Sequence, residues 1–230
     1  MIKEKTQGFS LKGFTAAVIG VGGLGCNIAT HLAGAGIGKL LLFDFDKVSE
    51  TNLNRQFLYT KDDIGKAKAA AAKEKLSQYA PEIEISAFSI KIRKNSIPDI
   101  LSSCDIIFLA VDNKSTRQAL SDFAHESFVP LVLGGIDGFF GKAYLYIPTL
   151  SPCPECAGML DSGKTEYNIS ATAGIIGSFQ TALGIKYLLT KDKSIAGILN
   201  VYDSDSFSSL KIIPSKKCNK CKYIMKEETV

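Results

Sequence analysis

A doubly wound α/β fold, mostly parallel with antiparallel strands added, is predicted by three features of the sequence. The stretch Gly20-Val21-Gly22-Gly23-Leu24-Gly25 follows the apolar run Ala16 to Ile19. A second apolar run, Leu40 to Phe43, ends at Asp44, nineteen residues past the last glycine. Strand-like runs then alternate with helix-like segments over the first two thirds of the chain, as a parallel sheet with crossover helices requires. A buried strand, a glycine turn, a helix N-terminus whose free N–H groups face phosphate, and an acid closing the next strand form the Rossmann-like nucleotide fingerprint.

In chain order, the apolar runs predict strands near Ala16–Ile19, Lys39–Phe43, Glu84–Phe88, Asp105–Ala110 and Pro130–Gly134. Helices are expected near Leu24–Gly34, Lys66–Tyr79, Ile97–Ser102 and Thr116–His125. Gly141–Pro148 reads as a further strand. The stretch Thr149–Ser170 lacks apolar periodicity and holds Pro152, Pro154, Gly158 and Gly163, so it reads as a surface crossover loop. Ala171–Leu189 carries apolar residues at helical spacing, and Gly197–Tyr202 with Phe207–Ile213 reads as a terminal pair of strands.

At 230 residues the chain can bury a sizeable core without staples. One domain over 1–230 is expected, with a nucleotide-binding half at about 11–135 and a crossover-loop and zinc-knuckle half at about 136–225. A hydrophobic fraction of 46% and a charged fraction of 22% disfavour disorder and fibrous classes. No run approaches about 18 apolar residues, and no apolar segment stands behind the charges of Met1 to Lys5, so neither a membrane span nor a signal peptide is expected and the reading is cytoplasmic. A net charge of +4 from scattered lysines argues against a nucleic-acid surface.

Arginine is scarce: Arg55, Arg93 and Arg117 stand against some two dozen lysines. Arg55 lies in Asn52-Leu53-Asn54-Arg55-Gln56, and Gly65-Lys66-Ala67-Lys68 follows. Two cations near a glycine loop suit a triphosphate better than a nicotinamide dinucleotide, and a guanidinium suits bidentate recognition of phosphate. A surface salt bridge for Arg55 and a solvated helix position for Lys68 are the plainer alternatives. Asp44 and Asp46 end the second strand, where doubly wound folds bind ligands, and Asp44 is the ribose candidate. Asp112-Asn113 follows the run Ile106–Val111 and fits Mg2+ held through one carboxylate plus substrate phosphates. Asp112 also fits an N-cap for a helix beginning near Ser115.

Cys153-Pro154-Glu155-Cys156 and Cys218-Asn219-Lys220-Cys221 are two Cys-x2-Cys pairs. Four thiolates at that spacing favour a structural Zn2+ pinning the crossover loop to the C-terminal tail. Disulfides compete, but a cytosolic chain keeps its thiols reduced. A thioredoxin-type pair would explain one motif and leave the other. Cys26 and Cys104 read as small buried hydrophobes. His31 and His125 carry no chemistry that spacing reveals.

With these residues the chain resembles the ubiquitin-activating-enzyme-like family that includes the molybdopterin- and thiamin-pathway adenylyltransferases. The resemblance runs from about Leu11 to Cys221 and includes the helix containing Gly174 to Gln180. It implies ATP-dependent activation of a carboxylate as an acyl-adenylate with release of pyrophosphate. On that resemblance Gly20, Gly22, Gly23 and Gly25 approach the nucleotide with Gln56 and Asn113 nearby, and Asp44 and Asp46 serve the ribose side. Asn52, Arg55 and Lys68 stabilise phosphate charge, and Asp112 positions Mg2+. It also implies a homodimer and, as acceptor, either the Gly-Gly end of a ubiquitin-like sulfur carrier or a small-molecule carboxylate such as the guanylylpyridinol precursor of a methanogen iron cofactor, where a separate protein takes the acyl group.

Two departures from the family pattern stand out. Asp161 to Ala173 contains no cysteine, so no thioester step on the crossover loop is expected. No arginine precedes Arg55, so either Lys3, Lys5 or Lys12 replaces the N-terminal arginine that relatives extend to a partner subunit, or that charge is missing. Two other readings compete: a catalytically reduced regulatory or scaffold partner of an activating enzyme, and an NAD-dependent oxidoreductase resting on the glycine loop and Asp44 alone.

Overall fold

The structure is a computed structural model that describes residues 10–161 and 167–222. One eight-stranded sheet runs in the order β3-β2-β1-β4-β5-β6-β7-β8. Its strands are β1 Thr15–Ile19, β2 Lys39–Phe43, β3 Glu84–Phe88, β4 Ile106–Leu109, β5 Leu131–Asp137, β6 Phe140–Tyr146, β7 Ile198–Tyr202 and β8 Phe207–Lys211. The first five are parallel, and β6 to β8 add antiparallel to the β5 edge. Helices α1 Gly23–Gly34, α2 Lys68–Tyr79, α3 Lys114–Ser127 and α4 Ser170–Thr190 cover the sheet. Among the described residues no helix is long and apolar enough to cross a membrane.

Two cores lie on the two sheet faces. Ala16, Val18, Leu40, Leu42, Ile106 and Phe108 meet α1, α2 and α4 residues such as Ile28, Leu76 and Ile176. Ala17, Ile19, Leu41, Ile107, Leu109 and Leu133 meet Leu120 and Ala124 of α3, Leu101 and Cys153. Strands apolar on both sides, as KLLLF and IIFL are, must be covered on both faces, and this dictates the doubly wound layering. At the other edge all five residues of β8 are exposed.

Three local expectations change. Ile97–Ser102 is not an α-helix: Pro98 precedes a single 3₁₀ turn at Asp99–Ser103, which ends as the chain enters β4. The helix expected from Lys66 starts two residues later, with Lys68 as its first residue, because the chain crosses Gly65 at φ +88° before α2 begins. The 149–169 crossover is a loop but not a surface one: its described part forms turns and one isolated bridge, Gly138 to Asn168, and Ser151 to Pro154, Ala157, Met159 and Leu160 are buried, while Gly163 lies outside the described residues.

Candidate functional site

A cleft of about 920 Å³ opens at the C-terminal ends of the parallel strands. The glycine loop forms its inner wall. Gly20, at φ +87°, donates its N–H to Phe43 O at 2.7 Å, and a Cβ there would fall 2.7 Å from Ala110 O. The loop is thus wedged between the ends of β2 and β4. A Cβ on Gly25 would lie 1.9 Å from Gly20 O, so α1 can start here only without a side chain. Gly22 N-caps α1 with no side-chain bond, which leaves the first-turn N–H groups to a ligand. Gly20, Gly22 and Gly23 line the cleft, whereas Gly25 supports the loop from beneath.

Asp44 is buried at the end of β2. One carboxylate oxygen accepts from Val21 N at 2.7 Å and the other from Asp46 N at 2.8 Å. Burial raises its pKa against those two hydrogen bonds, and each oxygen keeps a lone pair for a hydroxyl. Asp46, half exposed, lies 3.5 Å from the Lys68 ammonium. Tyr59 ties this wall together by sharing its hydroxyl between Val21 O at 2.8 Å and Lys68 O at 3.2 Å.

The Asn52 to Gln56 segment turns back on itself, with Arg55 N and Gln56 N donating to Asn52 O. Asn52, Arg55 and Gln56 all line the cleft. Arg55 rests on Thr51 O and Asn54 Oδ1 at 3.2 and 2.9 Å and has no carboxylate partner among the described residues. Gln56 is 3% exposed, and its Oε1 is a buried acceptor without a hydrogen bond among the described residues. Such an orphan is costly in an empty site and fits a donor brought by a bound nucleotide.

At the end of β4 the cap belongs to Asn113, not to Asp112. Asn113 Oδ1 accepts from Thr116 N at 2.9 Å and starts α3 at Lys114. The exposed Asp112 carboxylate accepts no hydrogen bond among the described residues and lines the cleft, a free hard oxygen donor of the type Mg2+ takes. Lys12 precedes β1 at the opposite end of the sheet, and Lys3 and Lys5 lie outside the described residues.

The cleft contains residues that spacing did not single out. Arg117 of α3, 3% exposed, donates to Val111 O, Met159 O and Gly134 O at 2.9, 2.8 and 2.6 Å. In the sequence it was one more arginine, because its partners are carbonyls from three segments that no motif marks. Lys142 sits in register with Gly135 and Val201 across β5 to β7 and faces the cleft with Phe140.

The two cysteine pairs do meet. The Sγ atoms of Cys153, Cys156, Cys218 and Cys221 lie within 4.8 Å of one another, with 3.5 Å between Cys153 and Cys218 and 3.9 Å between Cys156 and Cys221. Tetrahedral thiolates at about 2.3 Å from zinc stand about 3.8 Å apart. Backbone N–H groups of Cys153 and Ser215 donate to Cys221 Sγ and Cys156 Sγ, as the amides that orient metal-bound thiolates do. Hydrogen bonding from Cys221 pulls the Cys153 thiol down to about 5, while burial pushes Cys156 up to about 11. The donor set therefore fits a soft divalent cation.

Residues 4–223 match the profile of the ThiF family. A sulfur carrier protein adenylyltransferase of Thermus thermophilus is 32% identical over 225 residues, spanning 92% of this chain and 83% of that one. An adenylyltransferase and sulfurtransferase, MOCS3 of Culex quinquefasciatus, is 33% identical over 214 residues, and the alignment spans 88% of this chain and about half, 48%, of that protein. The crystal structure of E. coli MccB with ATP superposes with a TM-score of 0.81 at 22% identity, over 92% of this chain and 67% of that one, a likeness of fold. Since the family profile spans nearly the whole chain and the two relatives named at 32% and 33% identity are adenylyltransferases, the chain belongs to the ThiF family and is an ATP-dependent adenylyltransferase.

Proposed function

We propose that the protein activates a carboxylate outside the chain by adenylylation, without a thioester step on its crossover loop. An acceptor oxygen attacks the α-phosphorus of ATP, the bond to pyrophosphate breaks, and an acyl-adenylate remains. The observation that carries this reading is the convergence of Asp44, Arg55, Lys68 and Asp112 on one cleft at the strand ends. Asp44 takes the ribose hydroxyls, with Asp46 alongside. Gly20, Gly22 and Gly23 present backbone to phosphate, and Gln56 Oε1 accepts the donor it lacks. Asn52, Arg55 and Lys68 stabilise charge as the α-phosphorus becomes pentacoordinate. Asp112 holds Mg2+, with Asn113 fixing its loop as the α3 cap.

The acceptor is either the C-terminal Gly-Gly of a ubiquitin-like sulfur carrier or a small-molecule carboxylate such as the guanylylpyridinol precursor, passed on to a separate acyl-accepting protein. The relatives named for sulfur carriers support the first. The lack of cysteine between Asp161 and Ala173 is compatible with both. The four-cysteine cluster holds Zn2+, and the active form is a cytoplasmic homodimer, with the chain folded as one domain over 1–230.

ATP–pyrophosphate exchange with Mg2+ tests the reading across two panels, Gly-Gly carriers and small acids including pyridine carboxylates. Exchange with one panel establishes adenylylation and its acceptor class. ATP binding with no exchange in either favours a regulatory partner of another activating subunit.

A further inference from the structure

Helix α3 joins the nucleotide cleft to the cysteine cluster at three points. Lys114, in its first turn, pairs with Asp161 of the crossover loop. Arg117, one turn on, donates to Met159 O of that loop, to Val111 O next to Asp112, and to Gly134 O of β5. Asp122 pairs with Lys220, between Cys218 and Cys221. Met159 in turn donates its N–H to Pro154 O, and Ala157 to Cys153 O, inside the first cysteine turn. An unbroken hydrogen-bonded path therefore runs from Cys153-Pro154 through Met159 and Arg117 to the peptide preceding Asp112.

The surface pair Lys114–Asp161 is exposed on both sides and contributes little. Arg117 is different. It is buried, its charge faces no carboxylate within ion-pair distance among the described residues, and burial presses its pKa down against the support of Asp112. An unpaired buried guanidinium is expensive, and its forked donors can hold three carbonyls of fixed geometry where an ammonium cannot. Packing alone gives no reason to keep that charge in this place.

We infer that Arg117 is a positioning residue that couples metal occupancy of the cysteine cluster to the nucleotide cleft, holding Asp112, β5 and the crossover loop in one arrangement. The inference rests on the adenylylation reading but is tested without an acceptor. ATP affinity is measured by equilibrium dialysis with Mg2+ for the wild type and Arg117→Lys, each zinc-loaded, stripped with chelator, and reloaded with Zn2+. The wild type is expected to weaken about tenfold on stripping and recover on reloading, within the usual range of coupling between sites. Zinc-loaded Arg117→Lys is expected to bind as weakly as the stripped wild type and to change less than about twofold on stripping.

Wild-type affinity indifferent to zinc, or an Arg117→Lys variant as zinc-sensitive as the wild type, overturns the coupling and leaves adenylylation standing. A loaded wild type that binds no ATP overturns both. Should stripping melt the chain by circular dichroism, the zinc-loaded double-mutant cycle of Arg117→Lys with Asp112→Asn decides. Non-additive losses in ATP affinity support positioning through Asp112, and additive losses overturn it.

Discussion

The Lys68 ammonium lies 3.5 Å from the Asp46 carboxylate, and the Lys68 backbone N–H donates to Asp46 O at 2.9 Å, so two links fix the first residue of α2 to the end of β2. This is a poor place to put a lysine for stability. A cation at a helix N-terminus opposes the macrodipole, the side chain is 7% exposed, and its partner is half in solvent, where a pair contributes little. On the proposed reading, a phosphate in the cleft would supply what the fold does not. Lys68→Met is therefore expected to leave the melting temperature within a few degrees of wild type while lowering the pyrophosphate exchange rate on the order of 100-fold or more. A large drop in melting temperature with unchanged exchange would make Lys68 structural.

The glycine loop gives a prediction of opposite character. A methyl on Gly25 would collide with the carbonyl oxygen of Gly20, a residue held at positive φ whose N–H donates to Phe43 O. Backbone on both sides cannot yield as a flexible side chain would. Gly25→Ala is expected to cost roughly 1–3 kcal/mol in denaturant unfolding and to abolish measurable ATP binding. Gly13→Ala is the control: no atom among the described residues lies within 4 Å of where its Cβ would stand, so both readouts should stay at wild-type values.

The nucleotide half was legible because its signals are local. The Gly20 loop, Asp44 at the end of an all-apolar strand, and the helix after Gly65 each lie in a short window whose backbone demand is written in residue type. Cys153, Cys156, Cys218 and Cys221 meet across some sixty residues of chain, yet were readable because four thiols at zinc spacing state a shared requirement. Arg117 was not readable. Its partners are the carbonyls of Val111, Gly134 and Met159, groups every residue carries, brought together only by tertiary packing. The cap at the end of β4 failed for a finer reason: Asp112 and Asn113 are both good caps, and backbone register rather than composition chose Asn113.

Asp63 makes the entry to α2 sensitive to acid through Lys66 and Lys75. It has no exposed surface, completes a capping box with Thr60, and takes Lys66 and Lys75 at 3.0 and 3.1 Å. Burial by itself would raise its pKa, but hydrogen bonds from Thr60, Lys66 and Lys75 override that and hold the carboxyl well below the usual range. A folded-state pKa depressed in this way stabilises fully above the unfolded value of about 4 and is lost as pH falls through it towards the folded value. Asp63→Asn should cost roughly 1.5–3 kcal/mol at pH 7 and flatten the decline of stability below about pH 4. A variant whose acid limb parallels the wild type would remove Asp63 as its source.

Metal content closes on the cysteine cluster. Four Sγ atoms already within 4.8 Å, with amide donors on two of them, need little rearrangement to take an ion, and without one they crowd four thiols together. Among the described residues the tail is also held by the Lys220–Asp122 pair and by Cys221, Cys218 and Ile212 packed in or against the second core. Elemental analysis of the purified protein is expected to return about one zinc per chain. Cys218→Ser should lower that content and release the tail, seen as earlier cleavage by protease near the C-terminus, with the parallel strands β1 to β5 still folded by circular dichroism. Full zinc retention in Cys218→Ser, or wild-type protein purified without metal under reducing conditions and equally resistant to cleavage, would mean that the four thiols hold the loop and tail by packing alone.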